Sequence, residues 1–239
     1  MHTKLRIVSY NIRHGLGMDG RVDLTRIASV LRALNPDIVA LQEIDRNNKR
    51  SGKQDQMKVL GAALGMEARF KQSCFMEDGE YGIGVLSRFP ITKTVGYTLS
   101  QVKGREPRSA LEVQVHVPGV KEMISFLSIH ADFNHLTADI RVQEIGTLLE
   151  LLEDHKNPLI LAGDFNATRN SPSLRLLETS GWDVLDKNNA PTFQGASVAE
   201  NIEIDYVALK NFIPKMVKHE VIEEKRASDH FPIIVDLEF

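Results

Sequence analysis

The 239-residue chain has 42 % hydrophobic and 26 % charged residues, which is the balance of a folded protein and excludes a disordered one. Its net charge of −3 excludes the strong overall positive charge that drives sequence-independent binding to nucleic acid, although a local cation or metal ion could still hold phosphate. The length allows a single large α/β domain, and we predict one domain over residues 1–239.

Three further features bear on the compartment of the protein. Cys74 is the only cysteine, so no disulfide can form within the chain, and a single thiol is typical of a reducing compartment. The first five residues lead directly into an alternating strand pattern, with no apolar stretch of signal-peptide length. No run approaches the ~18 apolar residues that span a bilayer. We therefore expect a cytoplasmic protein without stable membrane insertion, whose protein partners the sequence does not identify.

Strand and helix patterns alternate in the first part of the chain. Residues 5–12 alternate apolar and polar side chains, which predicts a strand, and apolar residues then recur at helical spacing between Asp23 and Pro36. The predicted elements here are a strand over 5–12, a helix capped by Asp23, a buried strand over 38–41 that ends at Glu43, and a helix that ends before Gly65.

Consecutive strands are predicted in the middle of the chain, and helices return in the last part. The predicted elements are strands over 81–86, 110–117 and 123–130, a helix capped by Thr137, a strand over 158–162, a helix opened by Ser171 and Pro172, and strands over 202–209 and 231–239. This order predicts an α/β protein with either one mixed sheet or two sheets and outer helices. The pattern alone leaves that choice open.

Acids, amides and a histidine stand beside the buried apolar strands. The set consists of Asn11, Glu43, Asp164, Asn166, Asp205, Asp229 and His230. Taken singly, an acid after a strand is more often a turn former or a helix cap. Five such placements exceed what loops require, and Asp205 lies within an apolar strand pattern, where a buried carboxylate needs a partner or a metal. Because Mg²⁺ takes oxygen ligands, the set predicts a site for a divalent cation.

Six short blocks strengthen that prediction by their order. They are Ser-Tyr-Asn-Ile (9–12), Leu-Gln-Glu (41–43), Ser-Ile-His (128–130), Gly-Asp-Phe-Asn (163–166), Ile-Asp-Tyr (204–206) and Ser-Asp-His-Phe-Pro (228–232). In this order they resemble the signature blocks of the DNase I-like endonuclease/exonuclease/phosphatase superfamily, over nearly the whole chain. The resemblance implies a single catalytic domain with a four-layer α/β sandwich: two packed mixed β-sheets flanked by helices, with the active site at one edge.

The resemblance also implies a metal site. Glu43 resembles the principal metal ligand, and Asn11 resembles a neighbour that helps to bind the metal or orients a carboxylate. Asp229 completes this site. The expected ion is Mg²⁺, with Mn²⁺ as the alternative.

The remaining matched residues resemble the catalytic groups of the family. Asp164 and Asn166 resemble the pair that aligns the attacking water and contacts the phosphate. His230, oriented by Asp205, resembles the general base or a group that stabilises the transition state. His130 resembles the second catalytic histidine, which contacts phosphate and can assist the leaving group. The implied reaction is in-line attack of water on phosphorus.

Two arginines are candidate substrate ligands, because a guanidinium presents paired donors to phosphate. For Arg108 the alternative is a solvated surface charge. Arg13 stands two residues after Asn11, where abasic-site endonucleases generally have an acid, so that branch is disfavoured. His130 is followed by Ala131, not by the leucine of the Thr-His-Leu run usual in sphingomyelinase-like members.

The opening 11–20 is most similar to compact bacterial members and to relatives that act on lipid head groups. We predict a phosphodiesterase. The alternatives are a nuclease acting on DNA or RNA and a non-catalytic module that binds a phosphate ligand. The substrate stays open among nucleic acid, lipid head group, inositol phosphate and nucleotide. A dinucleotide site is disfavoured although 15–20 matches G-x-G-x-x-G, because Asp19 would meet the pyrophosphate. A serine hydrolase is disfavoured by the lack of G-x-S-x-G.

Overall fold

Two six-stranded mixed sheets pack against each other in the computed structural model, which describes residues 3–133, 138–195, 197 and 200–239. In spatial order, the first sheet contains β11 (Met216–Val221), β12 (Ile233–Glu238), β1 (Lys4–Asn11), β2 (Ile38–Arg46), β4 (Gly79–Ser87) and β3 (Glu67–Met76). The second contains β5 (Ile91–Ser100), β6 (Arg108–Val115), β7 (Ile124–His130), β8 (Leu159–Asp164), β10 (Asp205–Lys210) and β9 (Asp183–Val184). The pairs β1–β2 and β7–β8 are parallel, and the other neighbours are antiparallel.

Helices cover the outer face of each sheet. Helices α1 (Leu24–Leu34) and α2 (Gln56–Leu64) pack on the first sheet, and α3 (Ala138–Leu151) and α4 (Pro172–Thr179) pack on the second. Successive strand residues point to opposite faces, so Ile7 lies in the core between the sheets whereas Val8 packs against the helices. The predicted four-layer α/β sandwich is therefore confirmed. None of the helices in the described ranges is long and apolar enough to cross a membrane.

Side-chain caps mark the start of two predicted helices. Asp23 accepts a hydrogen bond from the backbone N–H of Arg26 at the start of α1, and Ser171 accepts one from Leu174 at the start of α4. These bonds satisfy amide groups that have no partner within the helix. Both predicted caps are confirmed. Thr137, the predicted cap of α3, lies outside the described residues.

Two predicted strand boundaries are wrong. The strand that was expected to end at Glu43 continues to Arg46, because a bulge between Leu41 and Ile44 lets β2 keep pairing with β4. Asp205 begins β10 and is not an interior residue of the strand, because the strand starts at Asp205 and Ile202 forms only an isolated bridge with Phe193. Glu43 therefore stands at a bulge, and Asp205 stands at the end of a strand that pairs regularly with β8.

We expect Gly163→Ala to lower the free energy of unfolding by about 1–3 kcal/mol, the usual cost of overpacking. Gly163 faces Ile129 across the parallel β7–β8 pair, and an added Cβ would lie 2.0 Å from the Ile129 carbonyl oxygen. The Ile129 carbonyl oxygen belongs to the paired backbone, so it cannot move away by a change of rotamer as a side-chain atom can. Urea denaturation measures the change.

Gly146→Ala is the matched control for this substitution. Gly146 lies within α3, and nothing stands within 4 Å of an added Cβ there. Alanine should therefore stabilise the helix by about 0.5–1 kcal/mol relative to glycine. Equal stability of the two variants would contradict the steric argument for Gly163.

Candidate active site

Strand register brings the predicted site residues to one edge of the sandwich. Asn11 ends β1, and His130 and Asp164 end the parallel strands β7 and β8, where they are direct neighbours. Asp205 begins the antiparallel strand β10, directly opposite Asp164. His230 lies just before β12, which pairs with β1. Residues that are far apart in the sequence therefore meet at the contact between the two sheets.

The side chain of Asn11 joins two acids, one from each sheet. Its Nδ2 donates to Glu43 Oε1 and to Asp164 Oδ2, with both distances 3.1 Å. Its Oδ1 accepts a hydrogen bond from the backbone N–H of Arg13 at 3.0 Å, and this backbone donor settles which end of the amide is the oxygen. Of the two roles considered for Asn11, this geometry matches the one that orients carboxylates.

Glu43 owes its position to the bulge of β2. Its φ of +58° is uncommon for a residue with a side chain, and the bulge turns the carboxylate into a cleft that Asp229 also lines. Burial raises the pKa of Glu43, and the negative charge of Asp229 adds to the increase. Asp229 forms an ion pair with Arg13, whose Nε lies 3.2 Å from Oδ2. Glu43 and Asp229 bring two negative charges to one cleft, which suits the cleft to hold a cation.

His230 lies between two buried acids. Its Nδ1 donates to Asp205 Oδ2 at 2.9 Å, and its Nε2 lies 3.7 Å from Asp164 Oδ2. Burial alone would lower the pKa of His230, but the charges of Asp205 and Asp164 raise it to about 10. The ring is therefore an imidazolium at neutral pH. The predicted pairing of Asp205 with His230 is present in the structure.

His130, in contrast to His230, is a neutral imidazole. Arg108 Nη1 lies 3.1 Å from His130 Nδ1, and because a guanidinium only donates, this nitrogen must accept. The proton is then on Nε2, which lies 3.5 Å from Asp164 Oδ2. Burial lowers the pKa of His130 well below its usual value, and the charge of Arg108 lowers it further. Burial raises the pKa of Asp164 to about 7, with a further contribution from Asp205.

Asn166 and Arg108 occupy fixed positions in the cleft wall. The backbone N–H of Asn166 donates to Asp164 Oδ1 at 2.8 Å, and its side-chain nitrogen donates to the carbonyl of Ala131 at 3.0 Å. Arg108 is only 3 % exposed, which excludes the solvated surface charge. Its Nη1 also lies 2.8 Å from Glu106 Oε1, so the guanidinium is held between an acid and a histidine.

Three polar residues of the cleft were missed by sequence reasoning. Glu106 and Tyr81 stand beside Arg108, and Arg50 forms a paired hydrogen bond with the buried Asp45 at 2.7 and 2.8 Å. Tyr81 was included in a strand pattern, and the other two lie in segments without a motif. Glu106 stands two residues before Arg108, separated from it by Pro107, but only for Arg108 was a role predicted.

The cleft itself has a volume of about 420 Å³, within the range of small-molecule sites. Its lining includes seven of the predicted residues, namely Glu43, Arg108, His130, Asp164, Asn166, Asp229 and His230. Asn11 and Asp205 are buried behind them. Arg13 is not part of the lining and reaches the site through Asp229.

The family model described as Endonuclease/Exonuclease/phosphatase family matches residues 8–230. The chain belongs to this family. No curated protein sequence matches the chain. Solved structures place its fold among DNase I-like proteins, as the sequence predicted.

Three of those structures show the extent of the likeness. An endonuclease/exonuclease/phosphatase from Beutenbergia cavernae DSM 12333 is 24 % identical, with a TM-score of 0.79 over 99 % of this chain and 72 % of that one. A family protein from Leptotrichia buccalis C-1013-b is 20 % identical, with a TM-score of 0.80 over 98 % and 100 % of the two chains. ANGEL2, a 2′,3′-cyclic phosphatase, is 12 % identical, with a TM-score of 0.76 over 100 % and 96 %.

Proposed function

We propose that this protein is a divalent-metal-dependent phosphoester hydrolase that acts as a phosphodiesterase. The observation that carries the proposal is the arrangement around Asp164. This buried carboxylate contacts Asn11, a neutral histidine and a cationic histidine at the edge of a 420 Å³ cleft. Membership of the endonuclease/exonuclease/phosphatase family supports it, as does the similar fold of ANGEL2, a cyclic phosphatase.

The residues of the cleft fit a hard cation. Among the described residues, ligand atoms of Asp164, Asp205 and His230 lie within 4.8 Å of one another, but Asp205 and His230 already bond to each other. Glu43 and Asp229 are the better candidates to hold Mg²⁺ or Mn²⁺, because both carboxylates line the cleft and their charges repel. When bound, such an ion neutralises negative charge that develops on the phosphoryl group.

The side chains around the cleft account for the other requirements of hydrolysis. A water oxygen forms a bond to phosphorus while the bond from phosphorus to the leaving oxygen breaks, and the leaving oxygen departs with the bonding electron pair and takes up a proton from solvent. In this proposal Asp164 and Asn166 align the water, and Asp164, whose pKa is raised to about 7 by burial, accepts its proton. The imidazolium of His230 offsets the negative charge of the transition state. Arg108 and the neutral Nε2–H of His130 are donors for phosphate oxygens.

A panel of substrates tests the proposal. With Mg²⁺ or Mn²⁺, we expect hydrolysis of bis-p-nitrophenyl phosphate that exceeds hydrolysis of p-nitrophenyl phosphate and stops on addition of EDTA. Plasmid DNA, RNA and lysophospholipids in the same panel distinguish a nuclease from an enzyme that acts on lipid head groups. Glu43→Gln should lower the rate by about 10²- to 10³-fold, the usual cost of losing one group that stabilises the transition state.

Glu122→Gln, at an exposed glutamate outside the cleft, should keep full activity. Thermal melting of both variants without metal controls for folding. Binding of a phosphate ester without turnover of any substrate would favour the non-catalytic module. Hydrolysis that persists in EDTA would rule out a metal-dependent mechanism.

A further inference from the structure

The cleft has an apolar part that the proposed hydrolysis of a phosphoester does not use. Five apolar side chains line it beside the polar residues, namely Met76, Phe133, Phe193, Ile202 and Ile204. Phe133 is 56 % exposed, so part of this apolar surface is open to solvent. We call these five residues the apolar wall. A single exposed ring would need no explanation, but an apolar wall within a catalytic cleft indicates a ligand with an apolar part.

One side of the apolar wall contacts His230. Phe193 pairs with Ile202 through two backbone hydrogen bonds of 3.0 and 3.3 Å, and its backbone also bridges to His230. The Phe193 ring contacts the imidazole edge to face, with ring centroids 5.1 Å apart. This side of the wall is therefore held at a fixed distance from the group proposed to face the phosphoryl oxygens.

The other side of the apolar wall lies against Arg108. The guanidinium carbon of Arg108 lies 5.7 Å from the centroid of the Phe133 ring, and the same guanidinium contacts His130. The residue before Phe133 is anchored, because the backbone N–H of Asp132 donates to the buried Glu144 at 2.9 Å. A phosphoryl group between His230 and Arg108 thus has an aromatic ring close to it on each side.

The charges around the cleft disfavour a polynucleotide. A polynucleotide presents one phosphate after another, and proteins bind it with a track of lysines and arginines. The two arginines among the described residues of the cleft are engaged by acids, Arg50 by Asp45 and Arg108 by Glu106. The chain as a whole carries a net charge of −3. A ligand with one phosphate and an apolar group matches the cleft better.

We infer that the substrate is a small phosphoester in which one substituent is an apolar group of aryl size, bound against the apolar wall. The inference rests on the proposed function, because it assigns the substrate class of the same site. The polar residues bind the phosphoryl group, and Phe133, Phe193 and Ile202 bind the apolar substituent. Burial of an aryl ring releases water from apolar surface and therefore favours binding.

Two diesters with the same leaving group test the inference. In p-nitrophenyl phenyl phosphate and p-nitrophenyl methyl phosphate, hydrolysis releases p-nitrophenol from both, so only the second substituent differs. After correction for the uncatalysed rates, we expect kcat/KM to be about 10- to 100-fold higher for the phenyl diester. Phe133→Ala and Phe193→Ala should each reduce this ratio and leave the methyl diester less affected. Phe75→Ala removes a ring that is 76 % exposed but outside the cleft lining, and it should leave the ratio unchanged.

A binding measurement separates this inference from the proposed function. Calorimetry with Mg²⁺ compares phenylphosphonate with methylphosphonate, which the enzyme cannot hydrolyse, and we expect the phenyl compound to bind at least about tenfold more tightly. Hydrolysis of both diesters at equal corrected rates would overturn the inference and leave the proposed function standing. Equal binding of the two phosphonates, or plasmid cleavage faster than hydrolysis of either diester, would also overturn it. Loss of all hydrolysis would refute the proposed function, and the calorimetry would still decide whether the wall selects an aryl group.

Discussion

Replacing His230 with glutamine should lower kcat by about 10²- to 10³-fold with little change in KM, because the lost positive charge acts mainly in the transition state. Burial opposes this charge, and the carboxylates of Asp205 and Asp164 maintain it by raising the pKa of His230 to about 10. Glutamine keeps a hydrogen-bonding group at the same place without the charge. Steady-state kinetics on bis-p-nitrophenyl phosphate with saturating Mg²⁺ measures the effect.

Asp205→Asn and His116→Gln complete this experiment. Asp205 does not line the cleft and acts through His230, so its substitution should cause a smaller loss of kcat than His230→Gln. His116 is exposed and lies outside the cleft lining, so His116→Gln should leave the kinetics unchanged. If His230→Gln kept more than half of the wild-type kcat, His230 would have no catalytic part.

Replacing Lys187 with methionine should lower the free energy of unfolding by about 3–5 kcal/mol, the usual cost of breaking a buried ion pair. The side chains of Lys187 and Glu203 are only 1 % and 6 % exposed, and Nζ lies 2.6 Å from Oε1. The ammonium also lies 3.9 Å from the centroid of the Tyr206 ring. Removal of the lysine alone leaves the Glu203 carboxylate buried without its counter-charge. Urea denaturation at neutral pH measures the loss.

The double variant Lys187→Met with Glu203→Gln should recover a large part of the stability, since no unpaired charge is then buried. Lys225→Met is the exposed counterpart. Lys225 pairs with Glu223 at 2.9 Å, but the two side chains are 63 % and 71 % exposed, so the change should stay within about 0.5 kcal/mol. A loss in Lys187→Met no larger than that in Lys225→Met would show that burial of the pair does not matter.

The helices and buried strands could be predicted because their signals are local. Cap residues such as Asp23 and Ser171 and the spacing of apolar residues act within a few positions of the chain. Strands β3, β5 and β11 were not predicted. They are edge strands of the two sheets and are largely exposed or half-exposed, so they lack the continuous apolar run that marks a buried strand. The bulge at Glu43 was missed because it depends on the partner strand.

Sequence reasoning reached the members of the site but not their contacts. The six blocks predicted which acids and histidines belong together, and the structure brings Asn11, Asp164, Asp205 and His230 into direct contact. It could not predict that the Asn11 amide turns its nitrogen toward the acids or that Arg108 determines the tautomer of His130. Both follow from side-chain packing between elements far apart in the sequence. The apolar wall was missed for the same reason, because its five residues come from separate segments.

The bridge that Asn11 makes between Glu43 and Asp164 has a mechanical consequence. One acid belongs to each sheet, so a small slide of one sheet over the other would lengthen one of these 3.1 Å bonds and separate the two halves of the cleft. The close-packed interior between the sheets, which includes the fully buried Phe126, therefore keeps the acids of the two sheets aligned. A substitution that loosens that interior, although far from the cleft and outside the set of site residues, should therefore lower the rate of the proposed hydrolysis.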